Sequence, residues 1–162
     1  MQPLTNDEIK RFLDQASEIA INGMRNGDGG PFGSVIVKDN QIIGKGNNQV
    51  LRSHDATAHA EIVAIRDASQ LLKSHDLSGS VLFTNCEPCP MCLSAIYWAN
   101  IDKVYYVNSR KDAADIGFRD DFLYTELVLN PLDRRGPGVF VENAKARESF
   151  AEWLNKTDRK IY

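Results

Sequence analysis

The chain has 162 residues, 25% charged and 43% hydrophobic, which suits one compact domain with a core of its own. Nineteen Lys and Arg against 22 Asp and Glu leave a formal charge of -3, and the basic residues form only short pairs such as Arg134-Arg135 and Arg159-Lys160; this argues against a nucleic-acid-binding face and for a small-molecule partner. No apolar stretch is long enough for a bilayer and Met1–Thr5 lacks the basic-then-apolar pattern of a secretion signal, so a cytoplasmic location away from membranes is expected.

Thr5 and Glu8 have capping-box spacing, and Ile9, Phe12, Leu13, Ala16, Ile19, Ala20 and Met24 recur at helical period, which predicts a helix over 6–25. Asn26-Gly27-Asp28-Gly29-Gly30-Pro31 breaks it. The β-rich runs Ser34–Val37 and Gln41–Gly44, separated by Lys38-Asp39-Asn40, read as a hairpin, followed by a polar loop from Gly46 to Asp55. A second helix is predicted over Ala58–Leu72, a buried strand over Val81–Thr84, a third helix over Pro90–Ala99 with Pro in its first turn, and a strand over Lys103–Val107. Asp112–Leu129 reads as mostly helical with an interruption at Gly117. Beyond Gly136-Pro137-Gly138, Val139-Phe140-Val141 reads as a last short strand and Ala144–Leu154 as a last helix. Strands alternating with helices predict an α/β domain over residues 1–162, a sheet covered by helices.

The three cysteines, Cys86, Cys89 and Cys92, have no distant partner, which disfavours a disulfide framework and points to a metal in a reducing compartment. His59-Ala60-Glu61 opens the second predicted helix and Pro88-Cys89-Pro90-Met91-Cys92 the third. One His and two Cys satisfy three positions of a tetrahedral zinc and leave the fourth for water, the open coordination of a catalytic site. Helix N-termini favour the negative charge of thiolates. Glu61 is the natural proton carrier beside such a metal, and a structural knuckle would not need it. Two alternatives are a closed Cys₃His site that includes Cys86 and an iron–sulfur cluster, which lacks a fourth Cys. Cys86 reads as a buried non-ligand, and His54 and His75 as surface residues.

The His-x-Glu and Pro-Cys-x-x-Cys strings resemble the signature of zinc nucleobase deaminases in the cytidine-deaminase-like superfamily. The longer strings Gly29–Gly33, Thr57–Glu61, Thr84–Cys92, Ala95–Ala99 and Asp112–Phe118 resemble its bacterial guanine deaminase branch. That resemblance implies a three-layer α/β/α fold with a central mixed five-stranded sheet and one zinc per subunit. It also implies a homodimer whose C-terminal segment crosses to the partner. The implied metal ligands are His59, Cys89 and Cys92, and the implied catalytic residue is Glu61. The implied substrate contacts are Asn48, Asp120, Phe32, Trp98 and Tyr162, the last in the partner's site. Asp120 suits the role chemically, since guanine carries adjacent N–H donors at N1 and N2 and a carboxylate accepts two parallel hydrogen bonds. The bland readings are a solvated acid at Asp120, a turn residue at Asn48 and a core aromatic at Trp98. The implied reaction is hydrolysis of guanine to xanthine and ammonia. Deamination of a transfer-RNA adenosine, or of guanosine, cytosine, isocytosine or ammeline, remains the enzymatic alternative; a zinc module for protein contacts is the non-enzymatic one.

Overall fold

The computed structural model describes residues 3–161. The first helix, α1 (Asn6–Arg25), starts where expected because Thr5 and Glu8 form a complete capping box: Thr5 accepts from the Glu8 amide and the Glu8 carboxylate accepts from the Thr5 amide. It is followed by β1 (Gly33–Lys38) and β2 (Gln41–Asn47), whose two-residue turn places Asp39 at φ 49° and Asn40 at φ 62°, the left-handed pair of a type I′ hairpin. A short helix, α2 (Val50–Ser53), lies within the segment read as polar loop; the Asp28 carbonyl accepts from the Leu51 and Arg52 amides and supplies the order. Then come α3 (Ala60–Leu72), β3 (Val81–Cys86), α4 (Pro90–Trp98) and β4 (Lys103–Asn108). The predicted helical stretch after β4 divides into α5 (Arg110–Asp115) and α6 (Asp121–Val128), with Gly117 at φ 100° between them.

The strand order is β2-β1-β3-β4. β1 runs antiparallel to β2 and β3, and β3 parallel to β4, so the sheet is mixed. Alternation along the strands sends side chains to two separate cores. Val35, Val37, Val81 and Phe83 pack with Phe12 of α1 on one face, while Ile36 and Leu82 pack with Ala64 and Ala68 of α3, Ile96 of α4 and its C-cap Ala99 on the other. This is the α/β/α layering that was expected. Small residues bring α3 against β2: a Cβ on Gly46 would lie 2.4 Å from the Ala60 carbonyl, and one on Gly44 2.5 Å from that of Ala64. The close approach fixes where α3 begins and therefore where His59 and Glu61 sit.

The sheet has four strands among the described residues, not the five expected. Val139-Phe140-Val141, read as the last strand, is irregular, with exposures of 69, 84 and 75%. Three β-favouring residues form no ladder without a neighbouring strand to pair with, and none pairs here. The chain divides into two compact units, Met1–Tyr124 and Thr125–Tyr162. The first holds the whole sheet and α1 to α5. The second contains the end of α6, a 3₁₀ turn at Pro131–Asp133 and α7 (Ala144–Asn155), whose N-cap Asn143 accepts from the Ala146 amide at 2.9 Å. No residue of α7 is buried.

Candidate active site

The N-termini of α3 and α4 meet at one place. His59 is the N-cap of α3, extended at φ -70° and ψ 157°, and its side chain makes no capping hydrogen bond. Cys89 is the N-cap of α4 and Cys92 lies in its first turn. The ligand atoms of these three residues all lie within 4.8 Å of one another. A tetrahedral zinc with bonds of about 2.3 Å to sulfur and 2.0–2.1 Å to nitrogen sets nitrogen and sulfur about 3.6 Å apart. His59 Nδ1 lies 3.6 Å from Cys89 Sγ and 3.6 Å from Cys92 Sγ. The donor set and its nitrogen–sulfur spacings therefore fit zinc.

Among themselves these donors share protons unevenly. The Cys92 thiol donates to the Cys89 sulfur, which holds Cys89 down to about 4 and pushes Cys92 above the ordinary thiol range. The Cys89 sulfur also raises the His59 imidazole. Zinc binding would replace those protons, since thiolates and neutral imidazole are its ligands. Cys86 stays outside this group: it is buried, its thiol donates to the Ser109 carbonyl at 3.8 Å, and burial pushes it up to about 11.

Glu61 sits in the first turn of α3, 6% exposed. Burial raises its carboxyl above the usual range, which suits a group that must both take and give a proton near neutrality. Residues two apart on a helix do not share a face, yet His59 and Glu61 line the same cavity. The two meet because His59 is the cap, off the helix proper, while Glu61 belongs to the first turn.

That cavity measures about 510 Å³ and is lined by His59, Glu61, Cys89, Asn48, Phe32 and Asp120 among others. Phe32 meets Phe118 edge-on, with ring centroids 4.8 Å apart, forming an aromatic wall. Asn48 is buried; its Oδ1 accepts from the Val50 amide at 3.2 Å, and its Nδ2 makes no hydrogen bond among the described residues. A Cβ on Gly29 would lie 2.1 Å from Asn48 Oδ1, so the glycine leaves room for the amide. Asp120 Oδ1 is buried without a hydrogen-bond partner, and burial raises the carboxyl. An acceptor left unpaired in a cavity wall calls for a partner from outside the chain, whether water, ion or ligand.

One expected residue is placed elsewhere. Trp98 ends α4 at 70% exposure and does not line the cavity, and it is not a core residue either. Tyr162 lies outside the described residues. Conversely, Phe118, Glu87 and Arg110 line the cavity without having been singled out from the sequence. For Phe118 and Glu87 the signal was present, because both stand in the strings that carry the family resemblance.

Residues 6–108 match the family of the cytidine and deoxycytidylate deaminase zinc-binding region. The chain is 45% identical over 151 residues to a guanine deaminase of Bacillus subtilis, covering 93% of this chain and 97% of that protein. It is 32% identical to a tRNA-specific adenosine deaminase of Haemophilus influenzae over 81% of this chain and 76% of the relative. Its structure superposes on the X-ray structure of guanine deaminase from B. subtilis with a TM-score of 0.92 at 43% identity, covering 98% of this chain and 99% of the other. The guanine deaminase from Nitrosomonas europaea gives a TM-score of 0.66 at 28% identity, covering 74% of this chain and 68% of the other.

Proposed function

The chain belongs to the cytidine and deoxycytidylate deaminase zinc-binding family, and from that premise we propose that it hydrolyses free guanine to xanthine and ammonia. The observation that carries this reading is the reach of the likeness to the B. subtilis guanine deaminase, over 93% of this chain at 45% identity. Bound zinc, held by His59, Cys89 and Cys92, supplies the Lewis acidity that makes water nucleophilic at neutral pH.

The remaining work falls to the chain's own side chains. Glu61 accepts a proton from the attacking water as the C2–O bond forms and gives it to the ring nitrogen; it then takes the remaining proton from the new C2 hydroxyl and passes it to the amine, which leaves as ammonia when the C2–N bond breaks. Its raised carboxyl supports that double duty. Asp120, with its unpartnered oxygen, accepts from the N1 and N2 donors of guanine. Asn48 offers its free amide N–H to a ring acceptor, and Phe32 provides an apolar face for the purine.

The same reading takes residues 1–162 as a single deaminase domain that works as a homodimer in the cytoplasm, its C-terminal segment exchanged so that Tyr162 enters the partner's site. Support comes from the last segment's apolar side chains: Phe140 is 84% exposed, Phe150 82% and Leu154 67%, more than an isolated chain leaves to water without cause. Among the described residues no helix is long and apolar enough to cross a membrane.

A panel of guanine, guanosine, cytosine, isocytosine, ammeline and a transfer-RNA anticodon stem-loop, assayed for ammonia release, tests the substrate. Guanine is expected to be turned over best. Silence with guanine alongside turnover of the transfer-RNA adenosine would replace this reading with that of the H. influenzae relative.

A further inference from the structure

The segment between β4 and the end of the first unit carries Phe118 and Asp120 into the cavity, and its two ends are fastened to each other. The Arg110 guanidinium stacks on the Tyr124 ring, 4.3 Å from its centroid. Both ends are also fastened to the loop that carries Cys89. Glu87 holds Arg110 twice: its carboxylate accepts from the Arg110 amide at 3.0 Å and pairs with the guanidinium at 3.0 Å. The Tyr124 hydroxyl donates to the Pro88 carbonyl at 3.3 Å. Glu87, Arg110, Tyr124 and Pro88 thus close a ring of contacts one residue from a metal ligand. Inside it, the chain between α5 and α6 is held by the Phe118 ring against Phe32 and by few backbone bonds: Gly117 is left-handed at φ 100°, and the local bonds are those of the Gly117 amide to Ala114, the Phe118 amide to Ala113 and the Leu123 amide to Asp120.

From this we propose that Tyr124 and Arg110 are positioning residues: their stacked pair, anchored on Glu87 and Pro88, closes the base of the 110–124 segment and holds Asp120 in register with the metal loop. Tyr124 does not line the cavity, so it acts through Asp120 and not on the substrate. The arrangement also explains why the Asp120 oxygen can remain unpartnered. Its place is held by the clamp at the foot of the segment, which leaves the carboxylate free for a ligand.

The kinetic arm of the test rests on the guanine reading; a second arm does not. In the zinc-loaded full chain, Tyr124→Leu removes both the stacking and the hydroxyl, while Tyr124→Phe keeps the ring over Arg110. Loss of one cation–π contact and one hydrogen bond is expected to raise the guanine KM about tenfold in Tyr124→Leu. Under the same substitution kcat should move less than about threefold, because the proton-transfer machinery is intact. Tyr124→Phe should recover most of the loss. Asp120→Ala should make the clamp irrelevant, so that adding Tyr124→Leu to it raises KM by less than about twofold further. Independently of any substrate, hydrogen exchange at the Gly117, Phe118 and Leu123 amides should speed up about tenfold in Tyr124→Leu, with the α3 amides unchanged. Effects of Tyr124→Leu and Asp120→Ala that multiply in full would overturn the proposal, as would exchange that is unchanged at these amides or raised equally throughout the fold. If the wild type does not act on guanine, the substrate reading falls and the exchange result alone decides the clamp.

Discussion

Glu61→Gln is expected to lower the deamination rate by about 10³-fold while the chain keeps its zinc. The carboxylate stands in the first turn of α3, 6% exposed, lining the same cavity as His59 and Cys89, and no other carboxylate lining that cavity is so deeply buried. Glutamine preserves its volume and can hydrogen-bond, but it cannot carry a proton from water to the ring and on to the amine. The substitution also removes a burial cost, since the native group must be ionised in a dry place to act as a base. Thermal stability should therefore hold or rise as activity disappears, the usual exchange between stability and function at an active site. Zinc content, melting temperature and ammonia release on the same preparation check this together. Activity retained within about tenfold would remove Glu61 from the proton path.

Cys92→Ser and Cys86→Ser are expected to part company. Cys92 is fully buried with its sulfur 3.6 Å from His59 Nδ1, and a serine oxygen is a poor substitute for a thiolate on zinc. Metal affinity should fall by more than about 10²-fold and activity with it, since even changes to groups behind the ligands cost 10–100-fold. Cys86 is just as close in sequence to Cys89 as Cys92 is, yet it donates to the Ser109 carbonyl, a bond that serine can also make. Cys86→Ser should keep one zinc per chain and near-normal turnover. Metal titration of both variants decides the matter; loss of zinc from Cys86→Ser would mean a closed site of three sulfurs and a structural metal.

Much of this was legible in the sequence where a local rule determined the outcome. The Thr5–Glu8 box set the start of α1, and the bounds 6–25 hold to the residue. The metal donors were visible because their chemistry and spacing are local to two helix starts. The second helix begins two residues later than the periodicity suggests, because Ala58 closes a turn on the Asp55 carbonyl and His59 is extended as the cap. The clamp around Glu87 was hidden for a different reason: Glu87 and Arg110 are 23 residues apart, and nothing in either neighbourhood announces the pairing. Val139-Phe140-Val141 shows the opposite failure. Its residue types favour a strand, but a strand is made by a neighbour, and periodicity carries no information about whether one exists. Trp98 stands at helical spacing, which suggests a cavity wall or the core, but the helix end turns it outward at 70% exposure.

The functional reading depends on a zinc that takes three ligands from the chain and leaves the fourth to water. X-ray absorption at the zinc edge of the purified protein counts those neighbours directly. Two sulfurs at about 2.3 Å and two lighter atoms at about 2.0–2.1 Å are predicted, one the His59 nitrogen and the other a water oxygen. A shell of three sulfurs and one nitrogen would close the coordination sphere and contradict hydrolysis at this site.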